Sequence, residues 1–538
     1  MLKKITWVLA LFSIWACKPK VDLIVHNAIV YDAEDTTRTQ EAFAVLDGKI
    51  LSIGSDRDIL GSYSSDQLFD AQKKAITPGL ADAHCHFYGQ ALFSLRANLF
   101  GLESWEKTVE KVSEFASGTQ GWVRGRGWDQ NLWTPAEFPD NQLLDKAFPD
   151  RPVLLTRVDG HAAIANSWAL KLSGITAQTV VEGGKIVVKN GKPTGLLIDN
   201  AVESVERVIP APDRNQIISA LLATEKQCFS LGLTSLQDMG LDRATLEFLD
   251  SLYQNNILKI RLYSYALPSD RDWLFKRGKI ERENFSVKGF KVYADGALGS
   301  RGACLIEPYS DEPTNHGLML TASDSLSTWF EQMQKNDFQV ATHCIGDSAF
   351  RLVMGLYRKV LSGSFHRWRI EHAQVIHSAD LPMLSELGVL ASVQPTHTTS
   401  DMVWASQRLG KRIATAYRLA DLLKQSGVLP LGSDFPVEDL NPLFGFHAAV
   451  ARQNKENLPK EGFQIENALS RNQALLGMTK WAAFAVHQEN VVGSLKKGMR
   501  ADFVVFQENP MTARPQEIRS IKIHSTYLNG LKVYQSVN

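Results

Sequence analysis

Charge of one sign is what this chain lacks most plainly: 58 Lys and Arg balance 58 Asp and Glu over 538 residues, with no long run of either. A nucleic-acid surface normally shows as a basic patch or stripe, so that class of partner is not expected. Cysteine is scarce, at five residues. Cys85, Cys228, Cys304 and Cys344 lack the dense spacing of a disulfide scaffold and read as reduced, packed thiols. Internal repeats and low-complexity tracts are absent, which leaves ordinary globular domains. No apolar run near the start reaches the ~20 residues that a spanning helix needs.

What stands at the start instead is Lys3-Lys4, then a shorter apolar run from Ile5 to Ala16, then Cys17. A charged segment, a short apolar segment and a small residue together predict a secretory signal peptide over residues 1–16. Ile14-Trp15-Ala16-Cys17 resembles the lipobox of bacterial lipoproteins, with Trp15 larger than the residue usual at its position. The resemblance implies export, lipidation of Cys17, and a membrane partner: the protein anchored by several acyl chains to the bacterial cell envelope.

Short strand-like runs with turn signals fill residues 17–75, among them Ala42 to Leu46 and Lys49 to Ile53 around Asp47-Gly48, a strong hairpin signal. Residues 486–538 have the same texture, so the two ends are expected to pair into one small β-sandwich. Between them, residues 76–485 offer eight strand candidates: Ile76–His84, Leu233–Asp238, Ile260–Ala266, Gly289–Tyr293, Phe338–His343, Trp368–His372, Val389–Gln394 and Val428–Asp434. Helical patterns such as Ile217 to Leu231 separate several of them. That alternation predicts an α/β fold, a (β/α)8 TIM barrel, for which eight is the closing number. The stretch from about 98 to 213 breaks the rhythm and reads as an insertion after the first strand.

The most informative stretch is Pro78 to His86. Side chains alternate along a strand, so His84 and His86 face one way and Cys85 the other, which makes a metal grip. Four later strand candidates end in or carry metal-competent groups: Lys291, His343, Glu371-His372 and Asp434. Strand C-termini form the catalytic face of such a barrel, where residues far apart in sequence converge.

Together with Lys291 to Arg301, Gly432-Ser433-Asp434, Gly493 to Asp502 and Asp159-Gly160-His161-Ala162, these residues resemble the metal-dependent amidohydrolase superfamily. The closest likeness is to its family 3 branch, which includes N-substituted formamide deformylase. The resemblance implies zinc, one ion or two, held by His84 and His86 on one side and by His343 and His372 on the other. Lys291 is then a bridging ligand, which requires a neutral amine able to take up CO₂ as an N6-carboxylate. Asp434 is both metal ligand and the catalytic general base toward the attacking water. Trp128, His161 and Arg301 resemble substrate-side positions. The activity implied is hydrolysis of linear carbon–nitrogen bonds in a small-molecule N-acyl or N-formyl amine. A deaminase or lactonase on the same barrel is the nearest alternative, and a solute-binding lipoprotein is the non-enzymatic one. A deaminase would place a Glu shortly after a strand-end histidine, whereas His343 is followed by Cys-Ile-Gly-Asp-Ser. Eight histidines, His397 among them, receive no role.

Overall fold

The computed structural model describes residues 18–35, 37–158, 160–361 and 366–537; the expected signal peptide 1–16, Cys17 and Asp159 lie outside them. The chain divides into two compact units, one of residues up to 86 with 225–538, the other of residues 87–224. Among the described residues no helix is long and apolar enough to cross a membrane.

The larger unit is built on a parallel sheet whose strands follow chain order: β1 (Leu80–Cys85), β2 (Leu233–Leu241), β3 (Arg261–Ala266), β4 (Phe285–Tyr293), β5 (Gln339–Cys344), β6 (Arg369–His372) and β7 (Leu390–Ser392). Strands β1, β3, β6 and β7 are buried along their whole length, as expected for a sheet covered on both faces. Helices return the chain between strands. One is Arg243–Gln254, whose N-cap Asp242 accepts the Thr245 amide at 2.8 Å and whose Leu246, Leu249 and Leu252 form the buried stripe.

Two expectations about strands are corrected. Val428–Asp434 is not a continuous eighth strand. It makes a single bridge, Leu431 with Val393, because Pro430 has no amide to donate and Asp434 takes a φ of +64°. The segment still spans the gap. Val393 N–H donates to Pro430 O and Gly432 N–H to Val393 O on the β7 side, while Ala83 N–H donates to Leu431 O and Asp434 N–H to His84 O on the β1 side. Ile76–His84 is likewise two strands. Ala75–Pro78 pairs with Phe503–Phe506 in a different sheet, and β1 begins only after Gly79. A Cβ at Gly79 would lie 2.2 Å from Thr234 Oγ1, so the crossing from one sheet to the other requires glycine.

The two remaining sheets of this unit are formed from both ends of the chain. Leu23–His26, Ala42–Leu46, Lys49–Gly54 and Leu68–Asp70 make one; Ile29–Val30, Ala75–Pro78, Phe503–Phe506, Ile523–Leu528 and Leu531–Gln535 make the other. Leu23, Val25, Phe43 and Val45 share a core with Phe503, Val505 and Tyr527, and the Phe43 ring meets Phe503 edge-on at 5.0 Å. Asp47 and Gly48 both have positive φ, the geometry of a two-residue hairpin turn.

The unit of residues 87–224, wider than the expected 98–213, contains a six-stranded sheet of Ala97–Asn98, Val123–Trp128, Val153–Arg157, Ala162–Ala165, Gly184–Lys189 and Lys192–Asp199. Its core holds Leu99, Val112, Trp128, Trp133 and Leu155.

Candidate metal centre

Strands β1, β4, β5 and β6, with the segment after Leu431, deliver His84, His86, Lys291, His343, His372 and Asp434 to one cavity of about 400 Å³. The tautomer of each imidazole follows from its partners. His84 Nδ1 lies 2.5 Å from Glu371 Oε2, His86 Nδ1 3.0 Å from Met239 O, and His372 Nδ1 2.8 Å from Gln394 Oε1. Each Nδ1–H donates to an oxygen, which leaves Nε2 as the lone-pair nitrogen. His343 is the reverse: its Nε2 faces Gly296 O at 3.4 Å, leaving Nδ1.

Asp434 is the hub. His86 Nε2 lies 3.1 Å and His84 Nε2 3.6 Å from its Oδ1, and His397 Nε2 lies 3.7 Å from its Oδ2. Lys291 Nζ is 3.1 Å from His84 Nε2. Ligand atoms of His84, His372 and Asp434 lie within 4.8 Å of one another.

Burial sets the charge states. It pulls His84 down to about 4 and His343 down to about 3, with Lys291 adding to both shifts, and it holds His372 well below the usual imidazole range. His86 differs: burial opposes its charged form, but the Asp434 carboxylate outweighs burial and raises it. Burial also lowers Lys291 to about 8. Asp434 goes the other way, since the nearby imidazoles overcome its own desolvation and keep it ionised. Below the cavity, Glu371 is fully buried yet held down to about 2: desolvation is outweighed by Arg369, whose Nε is 2.6 Å from Oε1, and by His84. Arg369 is secured in turn by Ala83 O and Ser392 Oγ at 2.7 and 2.8 Å.

A divalent cation fits this set. Three imidazoles are held neutral, and the buried Asp434 Oδ1 has no hydrogen-bond partner among the described residues, a state that is expensive without a ligand. Neutral imidazole with carboxylate is a donor set for such ions.

Two of the expected substrate-side residues, Trp128 and His161, belong to the unit of residues 87–224, and the third, Arg301, to the unit that holds the cavity. Trp128 is fully buried in the unit of residues 87–224, where its Nε1 donates to Leu155 O at 2.8 Å and its ring stacks on Trp133; it is a packing residue there. His161, in the same unit, is an exposed side chain 3.0 Å from Asp199. Arg301 does not line the cavity and is paired with Asp311 and Glu312 at 2.9 and 3.4 Å. Its neighbours Ala297, Leu298 and Gly299 do line it, and a Cβ at Gly299 would press on the Trp404 ring at 3.3 Å.

Sequence reasoning gave His397 no role and named Glu371 only as a metal-competent group, and the fold brings both to the site. His397, in helix Pro395–Asp401, stacks beside His372 with ring centroids 5.9 Å apart, and Glu371 orients His84. The Gln394-Pro395-Thr396-His397 run directly after a strand end was the signal for the first. The Arg369-x-Glu371 alternation, which puts both charges on one face of a buried strand, was the signal for the second.

The family model Amidohydro_3, described as an amidohydrolase family, matches residues 67–534. Among curated relatives, Protein LONG AFTER FAR-RED 3 of Arabidopsis thaliana is 29% identical over 95% of this chain and 91% of its own length. Putative amidohydrolase YtcJ of Bacillus subtilis is 29% identical over 95% and 99%, and N-substituted formamide deformylase of Arthrobacter pascens 23% identical over 96% and 98%. A solved structure, an uncharacterized metal-dependent hydrolase from Pyrococcus furiosus, superposes with a TM-score of 0.76 at 26% identity, over 91% of this chain and all of that one. With imidazoles and carboxylates gathered at the strand ends of a parallel barrel and a family match over most of its length, this chain belongs to the metal-dependent amidohydrolase family.

Proposed function

We propose that the protein is a zinc-dependent hydrolase of linear carbon–nitrogen amide bonds whose substrate is an N-acyl or N-formyl amine. The observation that carries the reading is the ionised, buried Asp434 carboxylate, one oxygen without a hydrogen-bond partner among the described residues, in one cavity with the neutral imidazoles of His84, His343 and His372. The 23% identical deformylase relative supports the N-formyl class.

His84, His86, His343, His372 and Asp434 would hold the metal, with Lys291 as an additional ligand once carboxylated. A lysine lowered to about 8 keeps a fraction of free amine at neutral pH, and that amine adds CO₂ with loss of a proton. When bound, the cation polarises the scissile carbonyl and acidifies the attacking water. Asp434 accepts the proton of that water as oxygen adds to the carbonyl carbon. The same carboxyl then hands the proton to the nitrogen as the carbon–nitrogen bond breaks, releasing acid and amine. Glu371 and Gln394 keep His84 and His372 in the tautomer that the metal needs.

The test is metal quantification of the purified protein beside a screen of formamides, acetamides, N-acyl amino acids and lactones. About one or two equivalents of zinc with amide turnover is the expected result. A metal-free preparation that stays inactive on the amides after zinc is added would end the reading.

A further inference from the structure

Away from the imidazoles the cavity wall changes character. Asp401 and Glu438 stand there with Trp404 and Val437. Asp401 accepts Gln374 Nε2 at 2.6 Å and Tyr417 OH at 2.8 Å, both on Oδ2, and among the described residues no hydrogen bond ends on Oδ1. Glu438 accepts Ser400 Oγ at 2.5 Å on Oε1, which leaves Oε2. Neither carboxylate is ion-paired to a lysine or arginine among the described residues, and the cavity lining contains one cationic side chain, Lys291, and no arginine. Arg301 and Arg408 are both committed to Asp311, and Arg408 also lies over the Trp404 ring at 5.7 Å. The wall is therefore acidic. It is also part of a site rather than bare surface, because the same cavity holds the buried, unpartnered Asp434 Oδ1.

Charge decides what such a wall accepts. A carboxylate on the substrate would meet two carboxylates that have no lysine or arginine ion pair among the described residues, in a partly desolvated space where like charges repel far more than in water. A cation would be attracted by both; the Trp404 ring beside them already has the Arg408 guanidinium 5.7 Å from its centroid. Building on the amide-hydrolase reading above, we propose that this site selects amides whose portion remote from the scissile bond is positively charged, and that Asp401 and Glu438 set that preference. Anionic N-acyl amino acids are then poor substrates.

The test uses N-formyl benzylamines carrying aminomethyl, methyl or carboxyl at the para position, and a matched series with the charge on the acyl side. With zinc-loaded protein, kcat/KM in at least one series is expected to fall from cationic through neutral to anionic by about a hundredfold in all. Glu438→Gln and Asp401→Asn should each narrow that range about tenfold, chiefly by raising KM for the cation. Glu438→Gln is the safer variant, since Asp401 also anchors Gln374 and Tyr417. A flat ranking, an anionic preference, or an unchanged ranking in Glu438→Gln overturns the proposal. Calorimetric binding of the same compounds to Asp434→Asn separates the two readings. A cationic preference in binding without hydrolysis by the wild type would sink the amide reading alone. Hydrolysis with no charge ranking, or no measurable binding by any compound, would sink the charge preference.

Discussion

The barrel unit has two cavities of similar size, and only one is a site. The first, about 400 Å³, opens at the strand C-termini; the second, about 470 Å³, lies beside the starts of β4 to β6. Both hold histidine, lysine, tyrosine and acidic side chains. In the second, the lysines and acids are paired and His366 is satisfied: Lys279 meets Asp337 at 2.6 Å, Lys288 meets Glu281 at 3.1 Å, and His366 accepts the Trp368 amide while its other nitrogen donates to Leu387 O. In the first, three imidazoles, those of His84, His343 and His372, are buried and neutral, and they share the cavity with a carboxylate whose Oδ1 has no hydrogen-bond partner among the described residues. The difference teaches that residue types do not make a catalytic centre; convergence with an outstanding electrostatic demand does.

The sharpest way to break this comparison is His86→Ala. It removes a group that touches Asp434 while leaving the strand's packing, so kcat/KM should fall by at least about a thousandfold with the circular dichroism spectrum unchanged. Retained activity would show that the convergence is incidental. Next comes Glu371→Gln, which strands Arg369 without its counter-charge and loosens His84. Zinc affinity should drop about 10- to 100-fold, and stability by roughly 3–5 kcal/mol, read by competition with a chelator and by denaturant melts.

A pH experiment sharpens the same point. His84 and His343 have folded values near 4 and 3, below the ordinary 6.5, so the unfolded chain takes up protons first as pH falls. Metal-free protein should keep this contribution above about pH 6.5 and lose it progressively toward pH 4, roughly 3 kcal/mol for His84 alone. His343→Gln should flatten the dependence of the melting temperature; an unaltered slope would mean that the imidazoles are not buried as neutral groups. The smallest effect belongs to the other cavity. Lys288→Ala removes a half-exposed ion pair and should leave kcat/KM within about twofold and stability within about 1 kcal/mol.

Much of the barrel could be read from the chain because its buried strands are short apolar runs and the candidate ligands sit at their ends, where His84 and His86 share a face by simple alternation. What escaped detection depends on contacts that no local pattern encodes. Trp128 reads the same whether it stacks on Trp133 or on a substrate. His397 lies inside a helix, and only the return of that helix beside β6 gives it a neighbour in His372. The break at Gly79 carried a local signal in Pro78-Gly79, but the change of sheet depends on partners more than 400 positions later, Phe503 to Phe506.

That sheet change has a consequence for biosynthesis. Ala75–Pro78 is clamped by Phe503–Phe506, and the N–H of Gly79, five residues before His84, donates to Asp502 O. Asp502 also grips Arg261 at the start of β3. A ribosome must therefore have released nearly the entire polypeptide before the first histidine pair acquires its final support. Nascent chains halted short of residue 503 would hold most of the ligands without a finished seat for them.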